Sequence, residues 1–356
     1  MLNLDSPAAI KKYDASGMIG LVESFPGQCR DAKAIGLKFQ PSDSYKSRYE
    51  NIVCTGLGGS AIGADIARSY VADEAELPMI VNRNYTMPGF VGARSLVITS
   101  SYSGNTEETL SAYNDAKARG ARIIAITSGG RLGELAKRDG FPVVAIPGGL
   151  PPRCALGYSF FPLLIALSKL GIIKDRSADI DEAIKVMEGL KDGKLGSKVK
   201  GRNNIAKEIA KGIYGKYPII YGSQDRVDAV VTRWRGQLAE NSKTISSSHL
   251  FPEMNHNEIV GWANPEKLLK DLAVIMLRDR DDHPRIARRI DITEKIIKDA
   301  GVKVIEAVSV GSGLLARIFS LVYTGDFVSY YLAILNKEDP TPVDRITYLK
   351  ESLEKA

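Results

Sequence analysis

The densest concentration of reactive groups in the sequence is Ser100-Ser101-Tyr102-Ser103-Gly104-Asn105-Thr106-Glu107-Glu108-Thr109, which follows the apolar run SLVIT. The hydroxyls of Ser101, Ser103 and Thr106, with a glycine between them and the open amides of a helix N-terminus, make a cradle for a dianionic phosphate. No Lys or Arg is needed inside it, because amides and helix dipole supply the positive end. The same residues could merely cap a helix, but one of them would suffice for that. A second loop, CTGLGGSAIGADIA from Cys54 to Ala67, sets Gly56, Gly58 and Gly59 directly after another apolar run, with Ser60 where a helix begins. It nearly spells the G-x-G-x-x-A dinucleotide fingerprint. The next apolar run, MIVNRNY, ends without the acidic residue that would hold a ribose. The loop is therefore suited to closing on a sugar or its phosphate.

Such loops need strands that end where they begin. From residue 51 short apolar runs alternate with amphipathic stretches (NIVCTG, IGADIARSYVAD, MIVN, SLVITSS, NTEETLSAYNDAKARG, ARIIAITS, PVVAIP), the pattern of a parallel α/β sheet. It breaks across 151–215, where Pro151-Pro152, the helix-like FFPLLIALSKLGII and the Lys- and Gly-rich GLKDGKLGSKVKGRNN predict a helix followed by an exposed hinge. Alternation then resumes with YPIIYGS, a helix from Arg226 to Glu240, LAVIML, a helix from Pro284 and KVIEAVS. SLVITSS…AKARGARIIAIT and LAVIMLR…IIKDAGVKVIEAV align as strand, loop, helix, glycine, strand. The expected class is α/β, with two doubly wound parallel-sheet units that bind ligands beyond the strands' carboxyl ends. The boundaries are 1–50 for an N-terminal helical extension, 51–165 for the first unit, 166–210 for a connecting helix and basic linker, and 211–356 for the second unit with a C-terminal helix.

A chain of 356 residues has room for about two domains at roughly 150 residues each. With 44% hydrophobic and 25% charged residues it can bury real cores. The net charge of +6 arises from dispersed Lys and Arg, not from a basic run interleaved with aromatics, so nucleic acid is not the expected partner. No apolar run reaches the about 18 residues of a membrane span; the nearest, Phe160 to Ile173, is interrupted by Lys169. Asp5, Lys11 and Lys12 stand where a signal peptide would be apolar, and three separated cysteines suggest no disulfide framework. A reduced, cytoplasmic location is expected.

The loop SSYSGNTEET resembles the phosphate-binding loop of sugar isomerase (SIS) domains, and GLGGSAIG resembles the companion glycine loop. Two such halves in one chain resemble the phosphoglucose isomerase superfamily. PGGLPPRCALGYSFFPLL at 147–164, GQLAENSK at 236–243 and FPEMNHNEIVGW at 251–262 narrow the likeness to the bifunctional phosphoglucose/phosphomannose isomerases, from about residue 50 to the C-terminus. The resemblance implies two SIS-type domains and an aldose-ketose isomerase acting on glucose 6-phosphate, mannose 6-phosphate and fructose 6-phosphate through a cis-enediolate. Such chemistry needs a base between C1 and C2, a group that opens the ring and a cation near the enediolate. By resemblance these are Glu240 as base, His256 for ring opening and Arg153, behind its stiffening proline pair, as the cation. Of the C-terminal lysines Lys337, Lys350 and Lys355, the resemblance selects Lys350 near the ring oxygen. Gly58, Gly59 and Ser60 would face the sugar while Ser101, Ser103 and Thr106 hold the phosphate.

No cofactor is expected. A zinc-dependent alternative would draw on Glu253, His256 and Glu258, but no second histidine lies at a useful spacing and catalytic zinc takes three protein ligands. The family likeness also implies a homodimer in which His256 reaches the neighbouring active site. Two other readings are a phosphosugar-binding SIS regulator, which would carry a helix-turn-helix segment, and a glucosamine-6-phosphate-type isomerase, which would need an ammonia-supplying partner.

Overall fold

The computed structural model describes residues 1–353 and 355; residues 354 and 356, which the expected C-terminal unit includes, lie outside the described residues. Three helices lead in, α1 (Pro7–Tyr13), α2 (Met18–Glu23) and α3 (Phe25–Lys38). The first sheet domain runs β1 (Asn51–Thr55), α4 (Gly58–Val71), β2 (Met79–Asn82), β3 (Ser95–Ser101), α5 (Glu107–Ala118), β4 (Arg122–Thr127), α6 (Gly130–Arg138) and β5 (Val143–Ala145). Connecting helices α7 (Leu156–Lys169), α8 (Ser177–Leu190) and α9 (Ile205–Ile213) follow. The second domain runs β6 (Tyr217–Ser223), α10 (Asp228–Ser242), β7 (Ser247–Phe251), α11 (Glu266–Leu269), β8 (Leu272–Arg278), α12 (Pro284–Asp299), β9 (Lys303–Val308), α13 (Leu314–Asn336) and α14 (Asp344–Leu353).

Both sheets are wholly parallel, ordered β2-β1-β3-β4-β5 and β7-β6-β8-β9. Strands β1 and β3 are buried along their entire length, as expected of Val- and Ile-rich strands covered on both faces. The aligned β3–α5–β4 and β8–α12–β9 units close their helices identically. Gly120 and Gly301 take left-handed φ of 74° and 78°, and in each case the glycine and the following residue donate back to the last helical turn. Strand order reverses between β1 and β3 and between β6 and β8. Those switch points are where an open α/β sheet leaves a crevice for ligands.

Three features went beyond the sequence pattern. Helix α13 is long and apolar enough by length and composition to cross a membrane, yet its apolar window is entirely buried, against α8, α9 and α10. A helix apolar all round belongs in a core, and one core cluster runs through both domains, including Ile98, Leu164, Trp234 and Phe319. The segment 191–204, expected as an exposed hinge, exposes Lys194, Lys198 and Lys200 but is pinned underneath. Buried Asn204 donates to the carbonyls of Leu195 and Gly196 at 2.8 and 3.0 Å. Its polar composition described the outer face only. The N-terminal extension is likewise anchored, by Asp14, which accepts from the Met18 amide and the Tyr330 hydroxyl, and by Asp5, which pairs with buried Lys207 at 2.8 Å.

Candidate active site

The hydroxyl loop sits at the carboxyl end of β3, beside the first switch point. Ser101 Oγ and Thr106 Oγ1 are 2.9 Å apart, the Gly104 amide donates to Ser101 Oγ at 3.1 Å, and the Asn105 amide donates to Ser103 Oγ at 3.2 Å. Thr106 occupies the N-cap position of α5, but its side chain makes no capping bond. The first amides of α5 are thus not covered by the residue best placed to do so. Behind the loop lies the turn after β4, which sequence reasoning missed although Ser128-Gly129-Gly130 spells a tight turn after a strand. Leu132 N donates to Gly104 O at 2.8 Å, Arg131 N to Asn105 Oδ1 at 2.9 Å and Ser128 Oγ to Tyr102 O at 2.6 Å. A side chain at Gly104, whose φ is 73°, would put Cβ 1.9 Å from Gly129 O.

The glycine loop closes on its neighbours in the same way. At Gly59 a Cβ would stand 2.6 Å from Pro152 O. Ser60 Oγ accepts from the Tyr102 amide at 3.1 Å, which fixes the oxygen and leaves its proton available to donate. Tyr102 then accepts from the Leu150 amide at 3.0 Å. Tyr102, absent from the sequence-based candidates, therefore ties together the glycine loop, the hydroxyl loop and the segment leading to Arg153.

Between the glycine loop and α10 lies a cavity of about 160 Å³ whose lining includes Gly58, Gly59, Arg83, Arg153, Arg233 and Glu240. A wider cavity of about 310 Å³ between Leu37, Leu164 and Arg176 lies away from both loops. Chemistry favours the smaller one. Arg153, 4% exposed, lies in a turn directly after Pro151. Its Nε donates to Asn241 Oδ1 at 2.7 Å, its Nη2 to the carbonyls of Pro340 and Thr341 at 2.7 and 2.8 Å, and its Nη1 is 3.6 Å from Glu240 Oε2. Its own carbonyl accepts from Arg233 at 3.1 Å. Arg233 pairs with buried Asp326 at 2.9 Å, and Gln237 donates to the same carboxylate at 2.7 Å. Burial pushes the Asp326 carboxyl upward against the pull of Arg233. Lys243 caps α10 in the left-handed region and bonds the carbonyls of Glu240 and Pro342 at 2.7 and 2.8 Å, with burial and then Arg153 depressing its ammonium.

Of the candidates, Gly58, Gly59, Arg153 and Glu240 line this cleft, whereas Ser60, Ser101, Ser103, Thr106, His256 and Lys350 do not. His256 is exposed on the loop after β7, at the edge of the second sheet, and makes no side-chain hydrogen bond among the described residues. The loop around it is firmly held: Asn255 donates to Thr293 at 2.8 Å, Asn257 to Glu253 at 2.8 Å, and the buried Tyr221 hydroxyl to Glu258. Those bonds engage both carboxylates that a metal at His256 would need. Among the described residues no group of three His, Cys, Asp or Glu is arranged to hold a metal ion. Lys350 lies on α14, a helix with no buried residue, and is exposed.

Residues 45–138 match the SIS domain family, and residues 202–353 match the bacterial phospho-glucose isomerase C-terminal SIS domain. A protein of Caldicellulosiruptor bescii named bifunctional phosphoglucose/phosphomannose isomerase is 47% identical over 336 residues, 94% of this chain and 98% of that one. One of the same name from Aquifex aeolicus is 41% identical over 86% of this chain and 91% of its own length. A solved glucose-6-phosphate isomerase like protein from Thermus thermophilus shares the fold, with a TM-score of 0.65 at 17% identity, covering 96% of this chain and 99% of that one. Such identity, sustained over 86 to 94% of the chain, shows that the chain belongs to the family of bifunctional phosphoglucose/phosphomannose isomerases.

Proposed function

We propose that the chain interconverts glucose 6-phosphate and mannose 6-phosphate with fructose 6-phosphate. The observation that carries this reading is the approach of Arg153 Nη1 to Glu240, 3.6 Å, in a cleft edged by Gly58 and Gly59. The phosphate rests on Ser101, Ser103, Thr106 and the first amides of α5, with Ser60 donating its remaining proton toward the ligand. Glu240 takes the proton from C2 of the open-chain aldose; the C–H electrons form the C1–C2 double bond of a cis-enediolate as the C1=O π electrons move onto O1. Arg153 Nη1 faces the enediolate oxygens; a proton passes from O2 to O1, the O2 electrons form the C2=O bond of the ketose, and the C1–C2 π electrons take the proton back from the carboxylic acid of Glu240 at C1. The two aldose phosphates differ only at C2, the carbon that becomes planar, so both converge on one intermediate. An acid-base group placed in this way contributes about 10² to 10⁴ in rate.

Ring opening requires a second proton-moving group, and among the described residues His256 and Lys350 both stand outside the cleft of their own chain. In this reading His256 of the partner subunit enters the cleft, with Lys350 near the ring oxygen, in a two-fold homodimer located in the cytoplasm. The exposure of His256 on an otherwise firmly bonded loop supports that role. A coupled assay on both aldose phosphates, with and without a chelator, tests the function. Fructose 6-phosphate should form from each at a rate the chelator leaves unchanged; no turnover of either sugar would sink the proposal, and loss on chelation would replace the metal-independent mechanism.

A further inference from the structure

Arg153 carries five N–H donors in one plane. Three are spent inside the protein, Nε on Asn241 and both hydrogens of Nη2 on the Pro340 and Thr341 carbonyls. Nη1 is left, and it is the nitrogen turned toward Glu240. Asn241, 1% exposed, is held in turn: its Nδ2 donates to Ser329 Oγ at 3.0 Å, and Ser329 donates its hydrogen to the Asp326 carbonyl at 2.9 Å. Because that hydrogen is committed, Ser329 Oγ can only accept. The amide of Asn241 must therefore present its nitrogen to Ser329 and its oxygen to Arg153. Asn241 also directly follows Glu240 on α10, so one helical turn places the base and orients the cation.

We propose that Asn241 is a positioning residue for the isomerisation. Its carbonyl oxygen turns the Arg153 guanidinium so that Nη1 faces the enediolate oxygens while standing 3.6 Å from Glu240, in ion-pair range but just beyond hydrogen-bond reach. The inference rests on the reading of Arg153 as the enediolate-stabilising cation. The nearby cation Lys243 shares the Pro340 carbonyl with Arg153, at 3.4 Å, and bonds the carbonyls of Glu240, Asn241 and Pro342, but it makes no hydrogen bond to the Asn241 side chain that orients Arg153.

The test is a double-mutant cycle on the full-length enzyme, measuring kcat and KM for glucose 6-phosphate in Asn241→Ala, Arg153→Ala and the double variant. Asn241→Ala should lower kcat at least about tenfold with KM within about threefold, the signature of a misplaced transition-state contact. Arg153→Ala should lower kcat about 10²- to 10³-fold. The double variant should fall no more than about threefold below Arg153→Ala, because the amide has nothing left to orient. Wild-type kcat in Asn241→Ala, or a loss that multiplies in full on the Arg153→Ala background, overturns the proposal while leaving the Arg153 reading intact. Near-wild-type activity in Arg153→Ala overturns that underlying reading instead. If Asn241→Ala does not fold, Ser329→Ala unlocks the amide more gently. It should lower kcat by about threefold or more in the wild-type background and by nothing in the Arg153→Ala background; equal effects in both refute the inference.

Discussion

A hydroxyl at a helix N-terminus can cap the helix or bind an anion, and the distinction lies in where its oxygen is spent. Thr106 stands at the N-cap of α5, yet its Oγ1 is turned to Ser101. Ser103→Ala combined with Thr106→Ala should therefore weaken binding of a phosphorylated sugar-acid inhibitor at least about tenfold, while stability falls by less than the roughly 1 kcal/mol of a working cap per site. Calorimetric titration beside thermal melts checks this; a stability loss without a binding loss would restore the capping role. Glu240, a third exposed and facing Arg153, is the base in the proposed mechanism. Glu240→Gln keeps its size and removes its basicity. It should bind sugar phosphate normally while kcat falls at least about 10²-fold. Retention of most of the activity would take Glu240 out of the mechanism.

At the scale of elements, the site depends on backbones that touch. The glycine loop lies against Pro152 at Gly59, the hydroxyl loop lies against the turn after β4 at Gly104, and Tyr102 bonds to both sides. Helix α13 supplies Asp326 and Ser329 from beneath, which joins the orientation of Arg153 to the shared core. The N-terminal helices are fastened to that core, and one fastening is sensitive to pH. The hydrogen bond from Lys207 holds the Asp5 carboxyl below its ordinary value of 3.8. Folding thus favours the ionised form, so its contribution is complete above that value and is lost as pH falls through the depressed folded-state value. Asp5→Asn leaves the ammonium of Lys207 without its counter-charge and should cost about 1 to 3 kcal/mol at neutral pH. The gap between the variant and the parent in thermal melts should close as the solution is taken below pH 3.8. A gap that is constant with pH would assign the effect to lost packing.

At the scale of the molecule, one chain brings Glu240 and Arg153 together in one cleft but leaves His256 at the sheet edge. If His256 completes the neighbouring site, Glu240→Gln and His256→Ala should each be nearly inactive as homodimers. Unfolding and refolding the two together in equal amounts makes about half the dimers mixed. In a mixed dimer one site collects both defects and the other collects neither, so about a quarter of all sites should be intact. Recovered activity near that fraction supports a shared site. No recovery, with mixed dimers demonstrated by mass, would place His256 in its own chain's chemistry.

What the sequence determined by itself was local. Alternating strand and helix periods, the glycines that end α5 and α12, and the hydroxyl run after SLVIT each act within about a dozen residues, and the two parallel sheets follow from them. What only the tertiary structure decided was contact between distant segments. Arg153 meets Asn241 across 88 positions and Pro340 across 187. Composition marked 191–204 as a hinge because its lysines point outward, but the carbonyls gathered by Asn204 hold it in place. Interrupting polar residues hid α13 as a core helix, since Arg317 and Asp326 read as surface until Asp279 and Arg233 are found beside them. Periodicity reports which face of an element is apolar; which charged groups meet when those faces close depends on packing over the whole chain, and the orientation of Arg153 belongs to that second kind.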